Sequence, residues 1–239
     1  TIGPDFTVAG SPLADAFTTT GDVKFLGDVT IDGTFTVNSG GGDIEIAGNV
    51  TSSGLDEFLY LTDGTGSGTI TLGGTVTTAD ITLVGDSGII LSGDLTSNKA
   101  SAGAFVFTGP ITLADTSTDS VTIDADNHAD TTVTFNSTAT VNAATSGGQS
   151  LTIDTASGAI AMQGVIGGST ALSALTINAD GDANIEIANI GTSSAAGVTG
   201  ATAIGNTSTG TLTLDGTVYT TNAATYTAAT GENIDLTGA

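Results

Sequence analysis

Arginine, cysteine and tryptophan are absent from this chain, and lysine occurs only as Lys24 and Lys99 in 239 residues. Each absence excludes something. Nucleic acid and anionic lipid both need Lys or Arg to neutralise phosphate, so neither is expected as a partner. Without cysteine there is no disulfide framework, and the fold must hold by hydrogen bonding and burial. Only 3 prolines interrupt the text, which leaves long stretches free for strand pairing. The strong helix formers Lys, Arg, Glu and Gln are scarce. No run reaches the ~18 apolar residues of a membrane helix, so membrane insertion is not expected. The net charge of -23 reflects missing base more than added acid, since Asp and Glu together number 25. Surface ion pairs can therefore contribute little, and divalent cations are natural counter-ions. Two sites for a trypsin-like protease suit a life outside the cell.

What is abundant is Gly, Thr, Ala, Ser, Asp and Val, arranged in a recurring pattern φ-x-φ-x-Gly-x-φ, where φ is apolar. It reads Val23-Phe25-Gly27-Val29, Val29-Ile31-Gly33-Phe35, Ile44-Ile46-Gly48-Val50, Ile70-Leu72-Gly74-Val76 and Ile89-Leu91-Gly93-Leu95. It returns as Phe105-Phe107-Gly109-Ile111, Ile160-Met162-Gly164-Ile166 and Leu212-Leu214-Gly216-Val218. A spacing of two puts the apolar side chains on one face of a strand. The glycine keeps the same parity, so it stands where an inward residue is expected. Its missing side chain lets the backbone turn inward at a corner. Strand, corner, strand, repeated about every twenty residues, predicts a β-solenoid. Taking Val23, Ile44, Ile70, Ile89 and Phe105 as equivalent points gives about 10–11 coils, ~50 Å long at the spacing of neighbouring strands.

Residues 1–21 lack the repeat and carry Pro4 and Pro12, which predicts an irregular N-terminal cap or arm. Residues 22–239 then form one elongated solenoid. The stretches 111–153 and 172–190 keep the paired apolar positions (Val121/Ile123, Val133/Phe135, Leu151/Ile153, Leu175/Ile177, Ile185/Ile187) and lose the glycine. One segment, Leu55-Asp56-Glu57-Phe58-Leu59-Tyr60-Leu61, fits either a helical turn or a bulged strand. It reads as an insertion packed on the flank of the coil, or as a contact patch.

Two loops have the look of cation sites. Asp180, Asp182, Asn184 and Glu186 alternate oxygen ligands as the start of a calcium loop does, without the later bidentate Glu of an EF-hand. Asp124, Asp126 and Asp130 cluster with Asn127 and the single histidine, His128. Hard oxygen ligands point to Ca²⁺, and one His cannot build a zinc site. The simpler reading of both loops is that Asp and Asn close turns by bonding their own backbone. An enzyme is not expected. No Arg is present to take a proton beside an acidic sugar, and the paired carboxylates lie in turns without aromatic residues to hold a sugar ring.

Residues 151–177 begin Leu151-Thr-Ile-Asp-Thr and continue Gly158-Ala-Ile-Ala-Met-Gln-Gly-Val-Ile-Gly167, closing on Leu175-Thr-Ile177. This text resembles the repeat of filamentous-haemagglutinin-like and related β-strand-repeat adhesins of bacterial surfaces. Residues 210–236, with Gly210-Thr-Leu-Thr-Leu-Asp-Gly216 and Asn233-Ile-Asp-Leu236, are similar to the other half of that repeat. The resemblance covers about three-quarters of the chain in low-complexity text. It implies a right-handed parallel β-helix, secretion, and work as a stalk, adhesin or matrix filament. The chain lacks the Asn-Pro pair typical of members exported with a dedicated outer-membrane partner. The expectation is an extracellular, cell-surface structural or adhesive element, joined end to end to copies of itself as a homo-polymer. Flanking repeats of the same chain, in a passive adhesin stalk, are the first alternative. A polysaccharide-active β-helix enzyme is the second.

Overall fold

The computed structural model describes residues 1–2, 6–8, 15–64, 66–100, 102–126 and 130–238. Every strand in it pairs in parallel, and the described residues contain no helix. Alternation of Val, Ile and Leu with Thr is the reason. Branched apolar side chains suit a pleated surface, and alternation gives each strand one buried and one solvent face. The chain winds over three walls in turn, forming a β-solenoid of about nine turns.

The first wall holds Val23–Phe25, Ile44–Ile46, Ile70–Leu72, Ile89–Leu91, Ile111–Leu113 and Val141–Ala143. Single bridges continue it at both ends, from Ile2 to Phe25 and from Val141 through Ile166 and Ile190 to Tyr219. The second wall has ten strands, from Phe6–Val8 and Val29–Ile31 to Val198–Ile204 and Thr221–Tyr226. The third also has ten, from Asp15–Thr18 and Thr34–Asn38 to Leu212–Leu214 and Ile234–Leu236. Ten levels span ~43 Å at ~4.8 Å each. The stack is shorter than the expected 10–11 coils, because polar loops inserted at the corners lengthen several turns. The step from Ile89 to Phe105 is not one coil either. Ile89 pairs with Ile111 on the first wall, whereas Phe105 lies on the third.

The strands expected at 23, 44, 70 and 89 point their φ residues inward: Ile70, Leu72, Ile89 and Leu91 are buried at 0–1% exposure. Phe107 stacks on its register partner Phe135 at 4.6 Å, and Phe17, Phe25 and Phe35, from three different columns, meet edge-on with centroids 5.6–6.0 Å apart. Each fully buried Val, Leu, Ile or Phe contributes about 1.5–3 kcal/mol against the entropy of ordering. Phe58–Thr62 is a regular strand of the third wall, in unbroken register with Thr34–Asn38 and Asp80–Val84, and not a helical turn. A register shift occurs elsewhere, between Val198 and Ala201.

Of the segment expected to be an irregular cap, Phe6–Val8 and Asp15–Thr18 are strands and form the first level of the second and third walls. Pro4 and Pro12 lie outside the described residues.

The glycines are needed for a different reason from the inward bend expected. The motif marks all three corners, and its missing Cβ would have run along the coil axis. A Cβ on Gly48 would lie 2.5 Å from the carbonyl carbon of Gly27, one on Gly74 2.6 Å from Gly48 O, and one on Gly93 2.5 Å from Gly74 O. Gly27, Gly48, Gly74 and Gly93 therefore form one column in which only glycine lets successive turns approach to hydrogen-bonding distance. Gly74→Ala should destabilise the fold by about 1–3 kcal/mol, because backbone on the neighbouring turn has to give way. Gly21→Ala meets nothing within 4 Å and should be close to neutral. Urea melts of the two variants measure the difference; equal midpoints would show that turn-to-turn crowding is not what selects glycine.

Candidate functional site

The corners carry most of the chain's acid, and their side chains have a defined task. At a corner the backbone leaves the sheet and its N–H groups lose their strand partners. Asp or Asn from the preceding turn supplies the acceptor. Asn49 N–H donates to Asp28 Oδ1 at 2.7 Å, Thr75 N–H to Asn49 Oδ1 at 3.0 Å, and Thr122 N–H to Asp94 Oδ1 at 2.7 Å. A second file runs through Asp22 to Asp43 N–H and Asp43 to Thr69 N–H. Asn142 and Asn189 each accept from two successive N–H groups of the next turn. The pattern has one direction, from each turn to its successor. Asp and Asn suit it because their short side chains reach a neighbouring N–H without a long flexible stem.

Of the two loops read as calcium sites, residues 180–186 join this scheme through Asn184, and residues 124–130 make local and side-chain bonds instead. Asp180 Oδ1 accepts from Asn206 Nδ2 at 2.8 Å, and Asn184 Oδ1 accepts from Thr211 N–H at 2.9 Å. Asp182 holds a left-handed backbone at φ 62° and donates its N–H to Ser208 O. Glu186 stands outward on Ile185–Ile187, between Ala161 and Thr213 of adjacent strands. Asp124 Oδ1 accepts from Asp126 N–H at 3.1 Å, and Asp130 exchanges two hydrogen bonds with Ser157 Oγ. Asn127, His128 and Ala129 lie outside the described residues. Among the described residues no three His, Cys, Asp or Glu side chains converge as a metal set.

The two loops nevertheless share one corner, with an unforeseen residue between them. Asp124, Asp154 and Asn178 are in register on three successive strands. Burial raises the Asp154 pKa, and the charges of Asp126, Asp180 and Asp124 raise it further; the Asn178 side chain acts in the opposite sense. The signal was present in the text as Val121-x-Ile123-Asp124, Leu151-x-Ile153-Asp154 and Leu175-x-Ile177-Asn178. Asp63 is the second such group. It has no exposed surface, its Oδ2 accepts from Asp86 N–H at 3.0 Å, and its Oδ1 has no hydrogen-bond partner. Burial raises its pKa and the charge of Asp86 adds to the effect, while the backbone N–H groups of Ser87 and Asp86 act against it. Both lysines are paired: Lys24 with Glu45 at 2.9 Å, and Lys99 with Asp80 in a mostly buried contact.

The other distinctive surface is the C-terminal end of the coil. The inward positions of its last level are Tyr219, Tyr226, Ile234 and Leu236. The tyrosines are half-buried, and Ile234 and Leu236 are 45% and 69% exposed. Leu214, Tyr219 and Leu236 line a hollow of about 300 Å³ there. At the opposite end Ile2 and Phe17 are half-buried beside a smaller hollow. Comparison of the chain with protein-family models, with curated proteins and with solved structures returns no match.

Two predictions concern the acid. Asp63 and Asp154 have folded pKa values above their unfolded ones. Their stabilising contribution is complete below the unfolded value of ~3.9 and is lost as pH rises through the folded values. Release of repulsion at -23 acts in the same direction. The melting temperature should therefore rise as pH falls from 7 towards about 4.5. Asp154→Asn should raise it at pH 7 by on the order of 1–3 °C and flatten the profile. A midpoint that falls on mild acidification contradicts this.

Calcium and magnesium at equal concentration should raise the melting temperature equally, because each screens the same carboxylates. A calcium-specific rise that saturates at micromolar ion, and is reversed by a chelator, would instead assign a shaped site to residues 124–130 or 180–186.

Proposed function

We propose that this chain is a stiff rod that works outside the cell, as a structural or adhesive segment of a surface filament, stalk or matrix fibre. The observation that carries this reading is the uninterrupted parallel stack on three walls, with one continuous apolar core from Phe25 to Leu214. Such a body bonds each turn to the next and concentrates no chemistry in a cleft. Its length scales with the number of turns, and its stability is distributed along that length. The outer faces are Thr, Asp, Asn and Ser, which solvate a rod without inviting nucleic acid or membrane. The chain's two trypsin sites are both ion-paired, and Lys99 is also largely buried at 17% side-chain exposure. This suits exposure to extracellular proteases. The resemblance of residues 151–177 and 210–236 to surface-adhesin repeats supports the same reading.

Two measurements test it. The purified chain should resist trypsin, and also a broad-specificity protease, for hours under native conditions. On intact producing cells, an antibody to residues 22–238 should label the surface without permeabilisation. Labelling only after permeabilisation, or rapid digestion of the folded chain, would overturn the reading.

A further inference from the structure

Part of the third wall differs from the rest of the surface in charge. Its successive strands Thr34–Asn38, Phe58–Thr62, Asp80–Val84, Ala104–Thr108 and Thr132–Phe135 stand in unbroken register. Among their outward residues Asp80 is the one carboxylate, in a chain of net charge -23. It is already neutralised. Its Oδ2 pairs with Lys99, and its Oδ1 accepts from Ala104 N–H at 2.7 Å. The second wall, by contrast, presents Asp124 and Asp154 outward. The neutral face is also apolar at its middle. Phe58, Tyr60, Val84 and Val106 point outward there and keep part of their surface in solvent. The Phe58 and Tyr60 rings stand parallel, with centroids 6.2 Å apart. Leu55, just before that strand, is 52% exposed.

The outward residues of this face read nearly alike from either end. One outer strand gives Thr34 and Thr36 followed by Asn38, and the other gives Thr132 and Thr134 followed by Asn136. Asn136 holds the same file as Thr108, to whose Oγ1 its Nδ2 donates at 2.7 Å. The two strands between them and the centre present Phe58 and Tyr60 on one side, and Ala104 and Val106 on the other. Thr82 stands in the middle. Turned over about the strand Asp80–Val84, the face therefore meets itself row for row. Tyr60 lies over Val106, Phe58 over the small Ala104, and Thr82 over its own copy. Where the rows differ, large opposes small, which is what close packing of two sheets asks for. A two-fold contact between identical chains needs this kind of self-complementarity.

We propose that two copies of this chain associate side by side and antiparallel through this face, about a two-fold axis along Asp80–Val84. Two bodies of charge -23 repel wherever their acid meets, and this face lets them touch without it. The two Asp80 side chains face each other, each with its own Lys99. A parallel pairing through the same wall would instead set Glu186 against Glu186 and Asp235 against Asp235. The face measures ~24 by ~17 Å, roughly 400 Å² in projection. That is about half of the ~800 Å² per partner of a standard interface. The contact is accordingly weak and reversible between single rods, and gains when several such faces act together along a fibre. It depends on the fold alone and goes beyond the question of where the rod works.

Sedimentation equilibrium of the purified chain over a concentration series tests this, at about 0.15 M and about 0.5 M salt. A reversible monomer–dimer equilibrium is expected, with a Kd between about 10 μM and 1 mM, and tighter at the higher salt. Thr82→Asp sets two carboxylates on the axis and should weaken the dimer about tenfold or more. Thr77→Asp adds the same charge to an outward site of the second wall and should change the Kd by no more than about twofold. Equal melting temperatures check that both variants are folded. The chain has no cysteine, so introduced thiols are its only ones. With a bismaleimide of about 10 Å reach, the spacing of packed sheets, a mixture of Tyr60→Cys and Val106→Cys chains should cross-link faster than either variant alone. A chain that stays monomeric throughout the series overturns the proposal. So does a Thr82→Asp chain that dimerises as the unaltered one does, or equal weakening by Thr77→Asp. Cross-linking of Tyr60→Cys alone as fast as in the mixture overturns it as well. None of these outcomes touches the rod reading, which stands on surface labelling and protease resistance.

Discussion

Everything in this molecule follows from the requirement that each turn approach the next to ~4.8 Å on three sides at once. Only at that distance do the backbone groups of successive turns pair, and with no cysteine that pairing is the main tie between turns. Glycine stands at Gly48, Gly74 and Gly93 because any side chain there would strike the backbone of the preceding turn. Apart from steps such as Leu113 on Ala143 and Phe17 on Val37, side chains of like size stack, because abrupt changes of volume at fixed spacing leave voids or clashes. Phe107 on Phe135, and Ile123 on Ile153 on Ile177, show the result.

The same constraint explains the odd charge balance. Corners expose backbone N–H groups that the sheets no longer satisfy, and a short acceptor from the turn before is the nearest remedy. Asp28, Asp43 and Asp94 supply it, as do Asn49, Asn142 and Asn189. A lysine cannot accept a hydrogen bond, so it has no place in these files. The resulting stack of acid is tolerable where Asn and Thr intervene, as at Asp28, Asn49 and Thr75. It is strained where carboxylates meet, as around Asp154, and there the proton is held more tightly.

The walls were legible from sequence because burial on one face imposes a strict period of two. Val23/Phe25, Ile44/Ile46, Ile70/Leu72 and Ile89/Leu91 read directly as strands with their faces assigned. Which wall each strand joins was not legible, because the glycine motif looks the same at every corner. Phe105 was therefore aligned with Ile89, although a full wall separates them. Ile166 and Ile190 carry the first wall with one bridge each, too little for a pattern to register. The acid loops were found in the text, but their relation was not. Asp124 and Asp180 are far apart in sequence, and only the coil brings both beside Asp154.

A body of this kind spreads its stability along its length. Every interior turn is bonded above and below, and the Asp and Asn acceptors that bridge turns at the corners run one way, each turn completing the one that follows. Adding a turn therefore repeats the same set of contacts, and no interior level differs in kind from another.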